Sequence, residues 1–239
     1  MAAEKENVMP IGFRVYTQRE LPAQEIVAGF KKLPTACIAD CMNRLSALSS
    51  QIRRMAAPTE ESMSGVALTV KARPGDNLMI HKALNLAQEG DVLVIANEGD
   101  RSQSLLGEIM VSYAKSKGVV GIVVDGPIRD VDSIYTLGVP VYATGSTPGG
   151  PFKDGPGEVN VPIAIGNIPV APGDIIVGDS DGVIVIPKND AATLLETARK
   201  FAVNDQAKLV AAQTGKADRS WIEKTLEQKG CEIIDDIYR

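Results

Sequence analysis

The chain has 239 residues, 44% hydrophobic and 23% charged, enough to bury a full core in one large domain or two small ones. Aromatic residues make up only 4%, so the core has to rest on Val, Ile, Leu and Ala. A net charge of −5 argues against a nucleic-acid-binding face, which needs clustered Lys and Arg to displace phosphate counterions, and no apolar run approaches the length of a membrane span.

The first stretch, MAAEKENVMPIGFRVYTQRE, lacks the apolar centre of a signal peptide. It reads as a surface arm, and a cytoplasmic protein is expected. Periodicity predicts a helix over Pro22–Phe30 with Ile26, Val27 and Phe30 on one side, and a second from a cap near Thr35 to Leu45. Cys37 and Cys41 can share a face of that second helix. No His or further Cys stands near them, which disfavours zinc. With Cys231 they are expected to be buried free thiols. Residues 46–64 show little pattern and read as loop with some extended structure.

A β-rich part follows. Gly65–Lys71 is a strand by its β-branched content. After the turn at Pro74–Asp76, Asp76 or Asn77 can cap the helix NLMIHKALNLA. Val92–Ala96, GVVGIVV and Gly138–Tyr142 read as strands, and TGSTPGGPFKDGPGE at 144–158 as loop. Further strands are predicted at Val159–Ile165, Pro169–Val170, Ile175–Val177 and Val183–Ile186. EGDVLVIANEGD (89–100) echoes PGDIIVGDSDGV (172–183), which marks two strands entered by the same Gly-Asp turn chemistry. The tail is helical from Ala191 to about Gln213 and again from Ser220 to Lys229. The expected organisation is an N-terminal arm and helix (1–32), a main domain (33–190) and a C-terminal helical arm (191–239) belonging to the same unit.

The stretch Gly99–Asp132 concentrates the chemistry. A glycine-bearing loop leads to a helix opening at Gly107-Glu108; an apolar strand then exits into Asp125-Gly-Pro-Ile-Arg129-Asp130. A strand apolar throughout is expected to be buried on both faces, and function in such sheets gathers where strands end. A turn with solvated charges would explain Arg129 and Asp130 equally simply. Yet the pair suits a site: Asp130 for a hard cation, Arg129 for an oxygen on which charge develops. Gly107 allows close backbone approach, and the amides of Glu108, Ile109 and Met110 are helix-start donors suited to a carboxylate. Glu108 itself either favours its helix dipole or holds a cation through water.

Other candidates weigh less. Asp100 reads as a loop cap, and Arg101 as either a solvated charge or a neutraliser of an acidic substrate. His81, the only histidine, rules out two-His motifs and reads as structural. TGSTPGG lacks the Gly-Lys-Ser/Thr ending of a phosphate loop, and no GxGxxG is present. Asp205 lies on the line of Phe201 and Leu209. It either caps a second helix after a break or delivers an acid to another subunit.

With these residues in view, the chain resembles the RraA-like family, which includes 4-hydroxy-4-methyl-2-oxoglutarate/4-carboxy-4-hydroxy-2-oxoadipate aldolases and regulators of ribonuclease E activity. The resemblance spans about residues 33–215, through SGVALTVKARPGDNLMIHKAL, EGDVLVIAN, KGVVGIVVDGPIRDVD and GEVNVPIAIGNIPVAPGDIIVGDSDGVIVIP. It implies an α/β (α+β) fold, a layered β/β/α sandwich with a swivelling-domain-like core and a C-terminal helical arm. It also implies homotrimers or dimers of trimers with sites between subunits. In the family's aldolases an acid, twenty residues and Arg-Asp mark the site, which maps onto Glu108, Arg129 and Asp130. The resemblance implies Asp130 as the ligand of a divalent cation, Mg2+ or Mn2+, and Arg129 as substrate-binding. It implies Gly107 to Met110 as the cradle of a 2-oxo acid carboxylate, with Asp205 as nearest match to an acid from the neighbour. Glu108 stands where Asp occurs in some members. The implied activity is metal-dependent aldol cleavage to pyruvate, with oxaloacetate decarboxylation alongside. The alternative is a non-catalytic regulator that binds a protein partner.

Overall fold

The computed structural model describes residues 11–55 and 62–238; the start of the N-terminal arm and part of the 46–64 segment lie outside them. In chain order the elements are β1 (Phe13–Val15), α1 (Gln24–Gly29), a 3-10 turn (Phe30–Lys32), α2 (Thr35–Cys41), β2 (Arg53–Arg54), β3 (Met63–Ala72), α3 (Leu78–Leu86), β4 (Asp91–Ala96), α4 (Glu108–Ser116), β5 (Gly121–Val124), β6 (Pro127–Ile128) and α5 (Val131–Thr136). Then come β7 (Val141–Ala143), β8 (Gly145–Ser146), β9 (Gly157–Val159), β10 (Ile163–Ile165), β11 (Ile168–Val170), β12 (Ile175–Gly178), β13 (Val183–Ile186), α6 (Ala191–Gln213) and α7 (Ser220–Gln228).

β3 is the spine of a nine-stranded sheet. On one edge its Val66–Lys71 run parallel to β4, and β5 and β7 continue the parallel set. The other edge is shared. Met63–Val66 pair antiparallel with β12, and Val70–Ala72 pair antiparallel with β9. All six residues of β4 are buried, because both faces of the sheet are covered. On one face Leu93, Ile95, Ile122 and Val124 meet Ile80, Ala83 and Leu84 of α3, Val111 and Ala114 of α4 and Ile134 of α5. On the other, Val92, Val94, Val123 and Tyr142 meet Ile163 and Ile165 of β10, Val170 of β11 and Ile176 of β12. The outcome is a layer of helices, a large sheet and a smaller β layer.

Several predicted elements shift. α2 ends at Cys41 rather than Leu45, because Asn43 and Arg44 turn left-handed, at φ of 55° and 64°. Thr35 is capped rather than capping: its N–H and Oγ1 donate to Asp179, at 2.9 and 2.7 Å. The strand predicted over Val159–Ile165 is two strands, broken at Asn160, where φ is 55°. The 144–158 loop contains β8, paired with β6, and enters β9. β1 lies along β9, and Arg19 is buried against Asp91, so the described part of the arm is stitched to the sheet. Of the three thiols, Cys37 is buried, Cys41 half-buried and Cys231 exposed, which corrects the expectation for the last.

The echoed Gly-Asp segments do share their turn. Asp91 Oδ2 accepts the Gln88 N–H at 2.9 Å, and Asp174 Oδ2 accepts the Ala171 N–H at 2.8 Å, each three residues back. Gly90 and Gly173 precede them at φ of 87° and 90°. The strands they start, β4 and β12, flank β3 in opposite directions, so the likeness is one of turn chemistry.

The chain divides into a compact unit ending at Arg199 and a second from Lys200 to Arg239. The boundary falls inside α6, which the domain expectation assigned whole to the arm. α6 runs unbroken through Asp205, which removes the reading of Asn204-Asp205 as the cap of a new helix. In the second unit Asp218 Oδ1 accepts the N–H and Oγ of Ser220 where α7 starts, and these bonds hold its carboxyl below the usual range. Among the described residues no helix is long and apolar enough to cross a membrane.

Candidate functional site

The site forms where two chain segments run side by side after leaving the sheet. The Leu105 N–H donates to Pro127 O and the Arg129 N–H to Leu106 O, both at 3.0 Å. This pairing lays Gly107, the N-cap of α4, against Arg129 and Asp130. The approach needs a glycine. A Cβ on Gly107 would stand 2.3 Å from Asp130 Oδ2 and 3.0 Å from Arg129 Cγ. Its backbone is extended, so space and not φ sets the requirement.

Asp130 is held in the left-handed region, φ 58° and ψ 39°, as the N-cap of α5. Asp tolerates that region better than most residues, yet it is an uncommon state that clusters at functional positions. Its Oδ2 accepts the Glu108 N–H at 3.1 Å and lies 3.7 Å from Arg129 Nε. The two side chains are 42% and 44% exposed, so the pair faces solvent instead of closing on itself.

Beside the pair is a cavity of about 240 Å³, lined by Asn77, His81, Gly107, Arg129, Asp130 and Lys153 among others. Asn77 and His81 come from the start of α3. Asn77 donates Nδ2 to Leu105 O at 3.0 Å, and its buried Oδ1 has no partner among the described residues. Burial, with the nearby positive charge of Lys153, pushes the His81 pKa down, so the imidazole is neutral at neutral pH.

The 144–158 segment forms a wall of this cavity. Gly149 O accepts the N–H and Oγ of Ser104, at 2.8 and 2.6 Å. The Phe152 N–H donates to Gly75 O at 2.8 Å, and the Asn77 N–H to Phe152 O at 2.9 Å. Asp76 is 1% exposed; it caps α3 through the Leu78 N–H and accepts the N–H groups of Asp154 and Gly155, at 2.6 and 2.9 Å. A Cβ on Gly150 would stand 3.1 Å from Arg129 Nη1. What composition reads as plain loop is therefore a pinned part of the site. Sequence reasoning takes Asn77 as a candidate cap and His81 as structural and passes over Lys153, because nothing local marks them as site residues.

The remaining expected residues fall as follows. Of the three helix-start amides, Glu108 N–H is donated to Asp130 and Met110 N–H to Gly107 O at 3.1 Å. Only that of Ile109 has no partner among the described residues. The Glu108 side chain is exposed and does not line the cavity. Asp205 lies in the second unit, exposed on α6. Arg101 lines a different cavity, of about 380 Å³, and hydrogen-bonds Gln51 there. Asp100 accepts the Ser102 N–H and Oγ, a local cap. Asp125, in the wall of that second cavity, accepts the N–H groups of Asn97 and Gly99 at 2.5 and 3.2 Å; burial nonetheless raises its pKa.

Among the described residues no three His, Cys, Asp or Glu side chains gather into a metal cage. The donor set at Asp130 is one exposed carboxylate whose contacts fall on Oδ2, with Glu108 on the next helix. That set fits a hard, largely hydrated divalent cation, which needs one or two carboxylates, and does not fit a zinc cage.

Known proteins share this arrangement of elements. The family model described as RraA-like, Aldolase/RraA, matches residues 35–185. A Halalkalibacterium halodurans protein named "Putative 4-hydroxy-4-methyl-2-oxoglutarate aldolase" is 38% identical over 203 residues, covering 84% of this chain and 96% of its own. The structure of Streptomyces coelicolor RraAS2, described as an unusual member of the RNase ES inhibitor RraA protein family, matches with a TM-score of 0.71 at 30% identity. It covers 79% of this chain and 98% of that one. The RNA-processing inhibitor RraA from Thermus thermophilus matches with a TM-score of 0.60 at 28% identity, covering 65% of this chain and 93% of its own.

Proposed function

The chain belongs to the RraA-like family, and from that premise we propose that it is a divalent-metal-dependent aldolase cleaving 4-hydroxy-4-methyl-2-oxoglutarate, or a related 4-hydroxy-2-oxo acid, to pyruvate. The observation that carries the reading is the meeting of Arg129 and Asp130 with the Gly107 end of α4 on the wall of a small polar cavity. The aldolase names of relatives agree with a lyase.

In this reading the Ile109 N–H and the start of α4 receive the substrate's C1 carboxylate. Arg129 faces the C2 oxygen. A base, a water held by Glu108 or by an acid from a second copy, takes the C4 hydroxyl proton. The C3–C4 bond then breaks: C4 becomes a carbonyl, and the bonding pair moves toward C3 and the C2 oxygen, where the guanidinium meets the developing charge. Protonation at C3 gives pyruvate. Asp130 would hold Mg2+, or Mn2+, with water and Glu108 completing the set, and the cation when bound supplies Lewis-acid polarisation of the 2-oxo group. Oxaloacetate loses carbon dioxide along the same electron path, a side activity.

A homotrimer or dimer of trimers would complete the site, with Asp205 as the acid given to the neighbour. Exposed Val203, Leu209, Val210 and Trp221 offer the second unit's apolar surface to another chain.

The test is pyruvate release from 4-hydroxy-4-methyl-2-oxoglutarate and oxaloacetate decarboxylation, each with Mg2+, with EDTA and with Asp130→Ala. Both activities are expected to need the metal and Asp130; full activity in EDTA or in the variant rejects the mechanism. The likeness to RNA-processing inhibitors supports a second reading, a regulator that binds a ribonuclease. A wild-type chain that turns over neither acid but slows a ribonuclease would establish it.

A further inference from the structure

The second cavity, of about 380 Å³, opens where the parallel strands end, and neither Arg129 nor Asp130 lines it. Glu98 and Arg101 follow β4, Asp125 follows β5 and Thr144 follows β7, and the turn between β10 and β11 lines the wall with them. Open α/β sheets take ligands in the crevice beyond the carboxyl ends of their strands. The frame of this crevice is fixed from within. The Ser49 N–H donates to Gly166 O at 3.1 Å, the Thr144 N–H to Gly126 O at 3.2 Å, and Asn97 Nδ2 to Asp100 O at 2.9 Å.

The charges on the wall do not neutralise one another. Asp125 is 8% exposed. Its oxygens take the N–H groups of Asn97 and Gly99, and no basic side chain pairs with it among the described residues. Burial raises its pKa, and the charge of Glu98 pushes the same way, so the two carboxylates lie within electrostatic reach of each other. Glu98 itself holds a left-handed backbone, φ 53°, an uncommon state away from glycine. Arg101 lines the same cavity but bonds the neutral Gln51, and no carboxylate pairs with it among the described residues. Thr144 Oγ1 is buried and also lacks a partner among them. A buried carboxylate is costly unless a cation meets it.

Acids and a guanidinium thus share one cavity without pairing. Separated poles of this kind match a ligand whose own opposite charges are set a short span apart. A metal ion fits less well: no three His, Cys, Asp or Glu side chains gather among the described residues, and a cation alone leaves Arg101 without a counter-charge. A simple carboxylic acid leaves Asp125 and Glu98 without one. Independently of the aldolase reading, we propose that this cavity binds a free α-amino acid, with its ammonium at Asp125 and Glu98 and its carboxylate on Arg101. A polar side chain on that ligand can reach Thr144 Oγ1.

The test is calorimetric titration of the full chain with L-serine, with ethanolamine, which lacks the carboxylate, and with 3-hydroxypropanoate, which lacks the ammonium. L-Serine is expected to bind at least about tenfold tighter than either, as one added charge-assisted contact would give. Arg101 and Glu98 are exposed, so their variants should fold. Arg101→Met should weaken L-serine about tenfold and leave ethanolamine unchanged. Glu98→Gln should weaken L-serine and ethanolamine alike without weakening 3-hydroxypropanoate. Asp130→Ala should leave L-serine binding intact, which separates this cavity from the first site. The proposal is overturned by absence of L-serine binding, by a single-headed analogue that binds equally well, or by an affinity that neither Arg101→Met nor Glu98→Gln moves. Loss of L-serine binding in Asp130→Ala overturns it too, because the amino acid would then sit in the first site.

Discussion

The two ends of the parallel strands treat their charges in opposite ways. Where β4 begins, Asp91 is closed off: its carboxylate meets Arg19 and the Gln88 N–H, and the side chains of the pair are 6% and 3% exposed. Where β5 gives way to α5, Arg129 and Asp130 stand 3.7 Å apart and nearly half exposed. Asp130 has a left-handed backbone, and Lys153 lines the same cavity with no carboxylate paired to it among the described residues. The first end is satisfied from within and serves stability. The second is open to solvent, where a ligand, an ion or another chain has room to reach it. Both contain an Arg–Asp pair, so the pair alone does not distinguish structure from chemistry; exposure and the state of its neighbours do.

The contrast can be broken at either end. Asp130→Ala should have the largest effect, lowering kcat/KM for the oxo acid by roughly 10³-fold or more with little change in the urea midpoint. Arg19→Met should do the reverse. It strands a buried carboxylate at a cost of about 3–5 kcal/mol, read from urea unfolding, with kcat unchanged in the folded protein. If Arg19→Met altered turnover as strongly as Asp130→Ala, the two ends would not be independent. Gly107→Ala sharpens the comparison, since it touches both properties. The new methyl displaces Asp130 or Arg129, and about 1–3 kcal/mol of overpacking strain is expected together with a fall in activity. The smallest effect belongs to His81. Its folded pKa lies below its ordinary value of 6.5, so the folded state resists the proton. Its contribution to stability is present above about pH 6.5 and lost as pH falls through the lower folded value. In His81→Gln the pH dependence of the melting temperature should be flatter across that window, and an unchanged slope would count against the shift.

Much of this was legible in the chain. The Asp-Gly-Pro-Ile-Arg-Asp turn after an apolar strand led to Arg129 and Asp130 because a strand buried on both faces has few places to put a charge. Gly107-Glu108 led to the start of α4. The Gly-Asp echo predicted a shared turn, and Asp91 and Asp174 make the same bond three residues back. What stayed hidden depends on contacts between residues far apart in sequence. Nothing near Lys153 tells that Asp76 will hold Asp154 and Gly155 from 78 and 79 residues away. His81 on an amphipathic helix looks structural until the loop wall is laid against it. The cap of α2 comes from Asp179, 144 residues distant, so the local sequence points to Thr35 instead. Asp125 looks like no more than part of a turn, since burial of a turn carboxylate has no local signature.

The loop wall between Gly149 and Gly155 has a consequence for energetics. Its bonds to Ser104, Gly75 and Asp76 are made within the chain itself, so the chain entropy of arranging that wall is spent during folding and not at each encounter. Association should then carry a small conformational-entropy penalty and a modest heat-capacity change. Its on-rate should be set by diffusion and charge rather than by the closing of a segment.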